Sequence, residues 1–355
     1  MRIALLLLVA TEASAALLRP RSTPSFHTLS IQDAREGKDL DGKDFSTPAS
    51  VTDNLANAAT LDTPESRACR ANPRIRREWR NYSHDDRMAL MRAIKCLMGR
   101  PSAGGFAPSK NRYEDYVRLH QRFAGNIHEN SKFHIWHRYM LWTFEQDLRR
   151  SCGFNRDFPW WDETKDAGNF ANSGLFTTDY FGRLLPPQPN GQGWCINSGA
   201  FGGITLNIGP GNANTPHCLT RSLDETSTAE CNAEYVEVCS QRATYAEFDS
   251  CMYGGPHAYG HNGIGAVMAD VLSSASDPIF YMHHCFIDRV FRVWQNRDPA
   301  RTTTINGFDA QSNALTMDTG IYLGGLGPDV RVRDILDTLS GTVINGVPFC
   351  YRYDY

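Results

Sequence analysis

Residues 277–295 read Asp277-Pro278-Ile279-Phe280-Tyr281-Met282-His283-His284-Cys285-Phe286-Ile287-Asp288-Arg289-Val290-Phe291-Arg292-Val293-Trp294-Gln295. Aspartate is a favoured N-cap and proline a favoured first helical residue, so the stretch is expected to start a helix at Asp277-Pro278. It carries a doubled histidine within its second turn. Upstream, His257 and His261 are four residues apart, a spacing that puts both on one face if the segment is helical. Gly254, Gly255 and Gly260 weaken that helix, and taken alone the pair is equally compatible with two ordinary histidines. His284 lies 23 residues beyond His261. A helix, a turn and an antiparallel helix would return it to the same place.

A second cluster lies further upstream: His120, His128, His134 and His137. Eight of the chain's 11 histidines fall in these two clusters, which points to a metal centre. Neutral imidazole is the commonest metal ligand and suits copper, zinc, iron and nickel. Two three-histidine sets facing each other would form a dinuclear site. Spacing leaves the choice open in the first cluster, because His134 and His137 could share a face while His128 and His137 suit a ligand before a helix and another inside it. A zinc hydrolase fits poorly, since its catalytic metal keeps an open position on three ligands.

The helical periodicity extends outward from these clusters. Helices are expected at Pro64–Arg70, at His84–Met98 with Ser83 as N-cap, at Tyr113–Phe123 and at Phe133–Arg150. In the last, Phe133, Trp136, Met140, Leu141, Phe144 and Leu148 recur at three- and four-residue steps. Further helical signals run over Tyr245–Asp249 and Ile264–Leu272. Residues 153–242 are rich in Gly, Pro, Asn and aromatics, and so long an irregular connection is expected to be tied down and to line something functional. Short runs such as Thr342–Ile344 suggest minor strands.

Composition narrows the class. A chain of 355 residues with 18 Phe, 14 Tyr and 7 Trp can bury a large core. Its net charge of −3, with no basic run, argues against a nucleic-acid partner. Residues 1–15 have the layout of a secretory signal: Arg2, an apolar run from Ile3 to Ala10, and Ala13-Ser14-Ala15. No segment is long enough to span a membrane. Residues 16–50 are polar and aperiodic, expected as a flexible leader or pro-segment. Ten cysteines fit an oxidising compartment, with local disulfides expected among Cys195, Cys218, Cys231, Cys239 and Cys251. Asn81-Tyr82-Ser83 is a glycosylation sequon.

Two long motifs resemble those of a known family. His128 to Gly153, with Phe133, Trp136-His137-Arg138, Glu145, Leu148 and Cys152-Gly153, resembles the first copper-binding motif of tyrosinases and catechol oxidases. His257 to Gln295, with Ile264-Gly265, Met268, Asp270, Asp277-Pro278-Ile279-Phe280, His283-His284, Asp288-Arg289 and Trp294-Gln295, is similar to the second. Tyr351-Arg352-Tyr353 resembles the tyrosine motif that closes the catalytic domain. The resemblance implies a mainly α fold. It would be an antiparallel four-helix bundle holding a dinuclear copper centre, with long disulfide-tied loops, minor strands and one catalytic domain over 51–355. It makes His120, His128 and His137 the ligands of one copper ion, and His257, His261 and His284 those of the other. His283 is then packed beside the site, and His134 is structural. Arg138 and Asp288 are expected to pair behind the ligand helices, as groups around metal ligands often do. Phe280 and Phe291 are expected either to wall the site or to serve as core.

The implied activity is oxidation of small phenols outside the cell, with dioxygen as co-substrate. Family members proficient on monophenols place a glutamate and an asparagine near the first histidine of the second motif. Here Tyr253 and Ala258 stand in those places, with Glu247 and Asp249 as the nearest substitutes. The expectation is therefore a catechol oxidase, with a true tyrosinase or an o-aminophenol oxidase as alternatives and a hemocyanin-like oxygen carrier as the non-enzyme reading. Asn126 stands where many relatives have a cysteine crosslinked to the second ligand, so His128 is expected unmodified. No C-terminal plug is expected after Tyr355, and Val271, in place of a bulky phenylalanine, suggests an open entrance.

Overall fold

The computed structural model describes residues 25–40 and 63–355, so the signal-like segment lies outside it. The protein is mainly helical, with short strands and disulfide-tied loops, as the resemblance implied. Helix α1 (Ile31–Arg35) lies in the N-terminal stretch. Helix α2 (Pro64–Ala71) is capped by Thr63, with Pro64 in its first turn. Helix α3 (His84–Met98) is capped by Ser83, whose side chain accepts from the Asp86 amide. Helices α4 (Arg112–Ile127) and α5 (Phe133–Cys152) follow, both longer than expected. Every residue of α5 from Phe133 to Leu148 is buried, so α5 is the central pillar, and Gly153 ends it at φ 65°.

Four further helices build the second half: α6 (Glu225–Thr228), α7 (Ala233–Ser240), α8 (Tyr245–Met252) and α9 (Ala258–Ile264). Between α8 and α9 the chain makes a π-helical turn over Tyr253–His257, with Gly255 out of helical geometry and Pro256 inside it. The helix expected over Ile264–Leu272 does not form. Gly265 and Ala266 take positive φ of 72° and 49°, and turns replace it. A Cβ on Gly265 would lie 2.2 Å from the Ser222 carbonyl oxygen, so this close approach requires glycine. Helix α10 (Ile279–Asn296) packs along α5. It starts one residue later than expected, and Asp277 Oδ1 still accepts from the Ile279 amide.

A parallel three-stranded sheet closes the molecule. Strand β1 (Arg74–Glu78) lies between β2 (Phe158–Trp160) and β3 (Tyr351–Tyr353), with Arg76 opposite both Phe158 and Tyr353. The Cys69–Cys350 disulfide fastens the same two chain ends, and Cys96–Cys152 ties α3 to α5. Cys195–Cys218 ties the irregular region, and Cys239–Cys251 ties α7 to α8. Cys231, expected in a local bridge, is a free buried thiol, as is Cys285. The irregular region is also held by a fully buried pair, in which Arg221 donates to both oxygens of Asp277 at 2.7 and 2.9 Å. The minor strand at Val343–Ile344 is present as a hairpin with Val347–Pro348.

The polar stretch expected to be a flexible leader is packed where it is described. Phe26, Leu29 and Ala34 are buried, and the Leu29 amide donates to the Gly254 carbonyl at 2.7 Å. A 3.6-residue or two-residue period is the signal for packing, and this stretch has neither. The remainder of that leader, and the boundary near residue 50, lie outside the described residues. Among the described residues, no helix is long and apolar enough to cross a membrane.

Candidate metal centre

The fold brings both histidine clusters into the core. His120 lies on α4, His128 is the residue that terminates it, and His137 sits one turn inside α5. Their ring nitrogens lie within 4.8 Å of one another, and all three residues are buried. His257, His261, His283 and His284 form a second buried group under the same distance limit. The groups face each other, with the His137 and His284 rings stacked at 4.4 Å and 11°.

Five of the six rings are oriented by the backbone, His284 Nδ1 being buried without a partner. Leu272, Ala124, Phe133, Tyr253 and Met268 carbonyls lie at 3.2, 3.1, 2.8, 3.0 and 2.7 Å from Nδ1 of His120, His128, His137, His257 and His261 respectively. A carbonyl only accepts, so Nδ1 carries the proton and Nε2 keeps its lone pair. Nε2 of His120, His128, His137 and His257 is buried without any partner. Nε2 of His261 and His284 approach within 3.2 Å of each other. Buried polar atoms are normally satisfied, and a convergent set that is not calls for a cation. Burial holds these rings in the neutral, ligating form: His120 is pushed down to about 4, with the Leu272 carbonyl opposing. His128, His137, His257, His261 and His284 are also depressed by burial, with neighbouring histidines adding to it. All-imidazole donor sets suit copper.

The other two histidines are held by carboxylates. His134 Nδ1 contacts Asp249 Oδ1 at 2.6 Å, its ring packs on Phe248 and Phe291, and it belongs to neither group. His283 Nδ1 contacts Glu163 Oε1 at 2.7 Å, and its Nε2 is a buried unpartnered atom within the second group. Burial raises Glu163 above the ordinary carboxylate range, with the His283 ring opposing. Sequence reasoning missed Glu163 altogether, because Trp160-Trp161-Asp162 beside it reads as packing and nothing in spacing joins residue 163 to residue 283.

Of the two suggested wall residues, Phe280 takes that position, with its ring 4.1 Å from His284 and 5.2 Å from His120. Phe291 packs instead on His134 and under Arg138. Phe133 is a wall residue that the sequence did not reveal as one, 4.5 Å from His257 and 4.8 Å from His137. Neither proposed carboxylate substitute is free to serve the site. Glu247 forms the capping box of α8 with Thr244, and Asp249 holds His134. The open entrance inferred from Val271 is also not what the fold shows, since Phe26 lies across the histidines with its ring 4.1 Å from His261.

Behind the ligand helices Arg138 and Asp288 pair as expected. Asp288 accepts from Arg138 Nε at 2.6 Å, Arg76 at 3.1 Å, Tyr351 Oη at 2.7 Å and Tyr353 Oη at 2.5 Å. Burial alone would raise this carboxyl, but the Arg138 and Arg76 guanidiniums and the Tyr353 hydroxyl hold it below the ordinary range. Tyr351-Arg352-Tyr353 thereby acquires a physical role in anchoring the end of the chain to the ligand helix.

A helical fold around two facing, buried histidine groups defines a class of proteins with dinuclear metal centres. Residues 110–297 match the model of the common central domain of tyrosinase, and the chain belongs to the tyrosinase family. It is 31% identical over 297 residues to tyrosinase ustQ of Aspergillus flavus, covering 79% of this chain and 80% of that protein. It is 27% identical over 363 residues to the N-acetyl-6-hydroxytryptophan oxidase ivoB of Emericella nidulans, covering 84% of this chain and 98% of that protein. A polyphenol oxidase structure from Thermothelomyces thermophila aligns with a TM-score of 0.70 and 26% identity, over 82% of this chain and 93% of that one. The chain is thus a tyrosinase-family oxidase, and its family implies a dinuclear copper centre.

Proposed function

We propose that this chain is a secreted dicopper oxidase that converts o-diphenols to o-quinones. Two catechols would be oxidised for each dioxygen reduced to two waters. His120, His128 and His137 would hold one copper ion, and His257, His261 and His284 the other. The observation that carries this reading is the pair of buried histidine groups, in which Nε2 of His120, His128, His137 and His257 lacks any partner and those of His261 and His284 meet only each other. His284 is preferred over His283 because its ring stacks on His137 of the opposite group, whereas His283 is drawn toward Glu163. When bound, the two copper ions supply the electron pair that dioxygen needs and take a pair back from the catechol. Export is supported by residues 1–15 and by four disulfides.

The protein's own part is to orient five of the six imidazoles through backbone carbonyls, exclude water with Phe133 and Phe280, and admit a small phenol. A catechol is preferred over a monophenol because Ala258 offers no polar atom to order a water that removes the phenol proton. One observation favours the tyrosinase alternative: Glu163 Oε2 is buried without a partner and could accept that proton. Oxygen uptake by the copper-loaded protein, with a catechol and its monophenol in parallel, tests both. Uptake with catechol alone supports the proposal, comparable uptake with both makes the protein a tyrosinase, and uptake with neither, by the parent and by Phe26→Ala alike, sinks it.

A further inference from the structure

Residues 25–40 enter the site itself. The Phe26 ring stacks on His261 at 4.1 Å and 21°, and meets His257 and His128 edge-on at 5.0 and 5.7 Å. It therefore touches rings of both histidine groups and is only 3% exposed. A phenol ring presented to both groups would have to occupy the same volume, and close packing forbids two rings there. Phenylalanine offers the ring without a hydroxyl, so it fills the place without being a substrate.

The segment is fastened by contacts made for it. Asn262 Nδ2 donates to the Phe26 carbonyl at 2.8 Å, and Tyr235 Oη donates to the Leu29 carbonyl at 2.5 Å. Arg242 donates to the Ala34 carbonyl, and Arg35 pairs with Glu234. His27 meets Glu129 beside the second histidine of the first group. Gly254 and Gly255 leave the room: a Cβ on Gly254 would lie 2.8 Å from Leu40 and 3.0 Å from Leu29, and one on Gly255 would lie 2.8 Å from Tyr235. The two glycines that looked like a flaw in the histidine helix are the floor of this strap.

We propose that residues 25–40 are a built-in occupant of the substrate place, with Phe26 standing where a phenol ring would stack, so that the site opens only when the strap leaves. This rests on the dicopper reading above. The test uses the copper-loaded full chain, Phe26→Ala, and Leu29→Asp, whose side chain touches no histidine of the site. Three quantities are measured: copper content, the rate at which cyanide strips copper, and kcat/KM for catechol. The expected result is two copper ions in every form, with stripping and kcat/KM each raised at least tenfold in both variants. Stripping rates within twofold of the parent, or loss of copper from both variants on purification, would overturn the strap. A raised KM in Phe26→Ala with unchanged stripping would also overturn it, making Phe26 a wall for the substrate. Faster stripping with no catechol turnover by any form would uphold the strap and sink the phenol-oxidase reading.

Discussion

Arg138 directly follows His137, Asp288 lies one helical turn after His284, and the two side chains meet at 2.6 Å with both fully buried. One ion pair thus joins the helices that carry the two facing histidines. Removing one partner of a buried pair leaves an uncompensated charge, which costs about 3–5 kcal/mol. Asp288→Asn is therefore expected to lower the unfolding midpoint of the metal-free protein sharply, since Arg138 loses its carboxylate and Arg76 is left with Glu145. Thermal unfolding checks this, and a midpoint within a degree or two of the parent would show that the pair does not bind the helices.

The choice of ligands is tested by metal content. His284→Ala is expected to lose one copper ion, whereas His283→Ala and His134→Ala keep two. Quantifying copper per chain after loading and desalting decides it. Equal losses in the His283 and His284 variants would refute the preference for His284, and a loss in the His134 variant would show the first group wrongly chosen.

Ala258→Asn adds a polar group directly after His257, at a buried position. The ratio of monophenol to diphenol turnover should rise severalfold, because an ordered water could then take the phenol proton. An unchanged ratio would remove the ground for preferring a catechol oxidase and point to Glu163 as the operative base.

The metal-free protein should lose stability as the pH falls below neutrality. The clustered histidines have folded-state pKa values depressed by burial, so the unfolded chain takes up protons first. Their stabilising neutrality is fully present above about 6.5 and is lost on the way down to the folded values. For His120, held near 4, the loss by that pH is roughly 3 kcal/mol, and its neighbours add to it. Denaturant midpoints of the metal-free form at pH 7.5 and 5 provide the check. Equal midpoints would contradict the neutral, closely packed histidines.

What the sequence alone determined was local or carried by long motifs. The helices over His84–Met98 and Phe133–Arg150 follow from period and capping, and each forms because one residue's neighbours three and four away suffice to specify it. The two histidine groups were legible because the motifs preserve spacing along the chain. The pairing of Arg138 with Asp288 was legible for the same reason. The tertiary structure decided what depends on contacts between distant residues with no period between them. Glu163 on His283, Asp249 on His134 and Cys69 on Cys350 are such contacts. The break at Gly265 also belongs there, since the Ser222 carbonyl that demands it lies on another loop. Phe26 is the furthest case: an isolated aromatic in a polar, aperiodic stretch carries no signal of burial. Only the folded cleft between two histidine groups gives that ring a place to go.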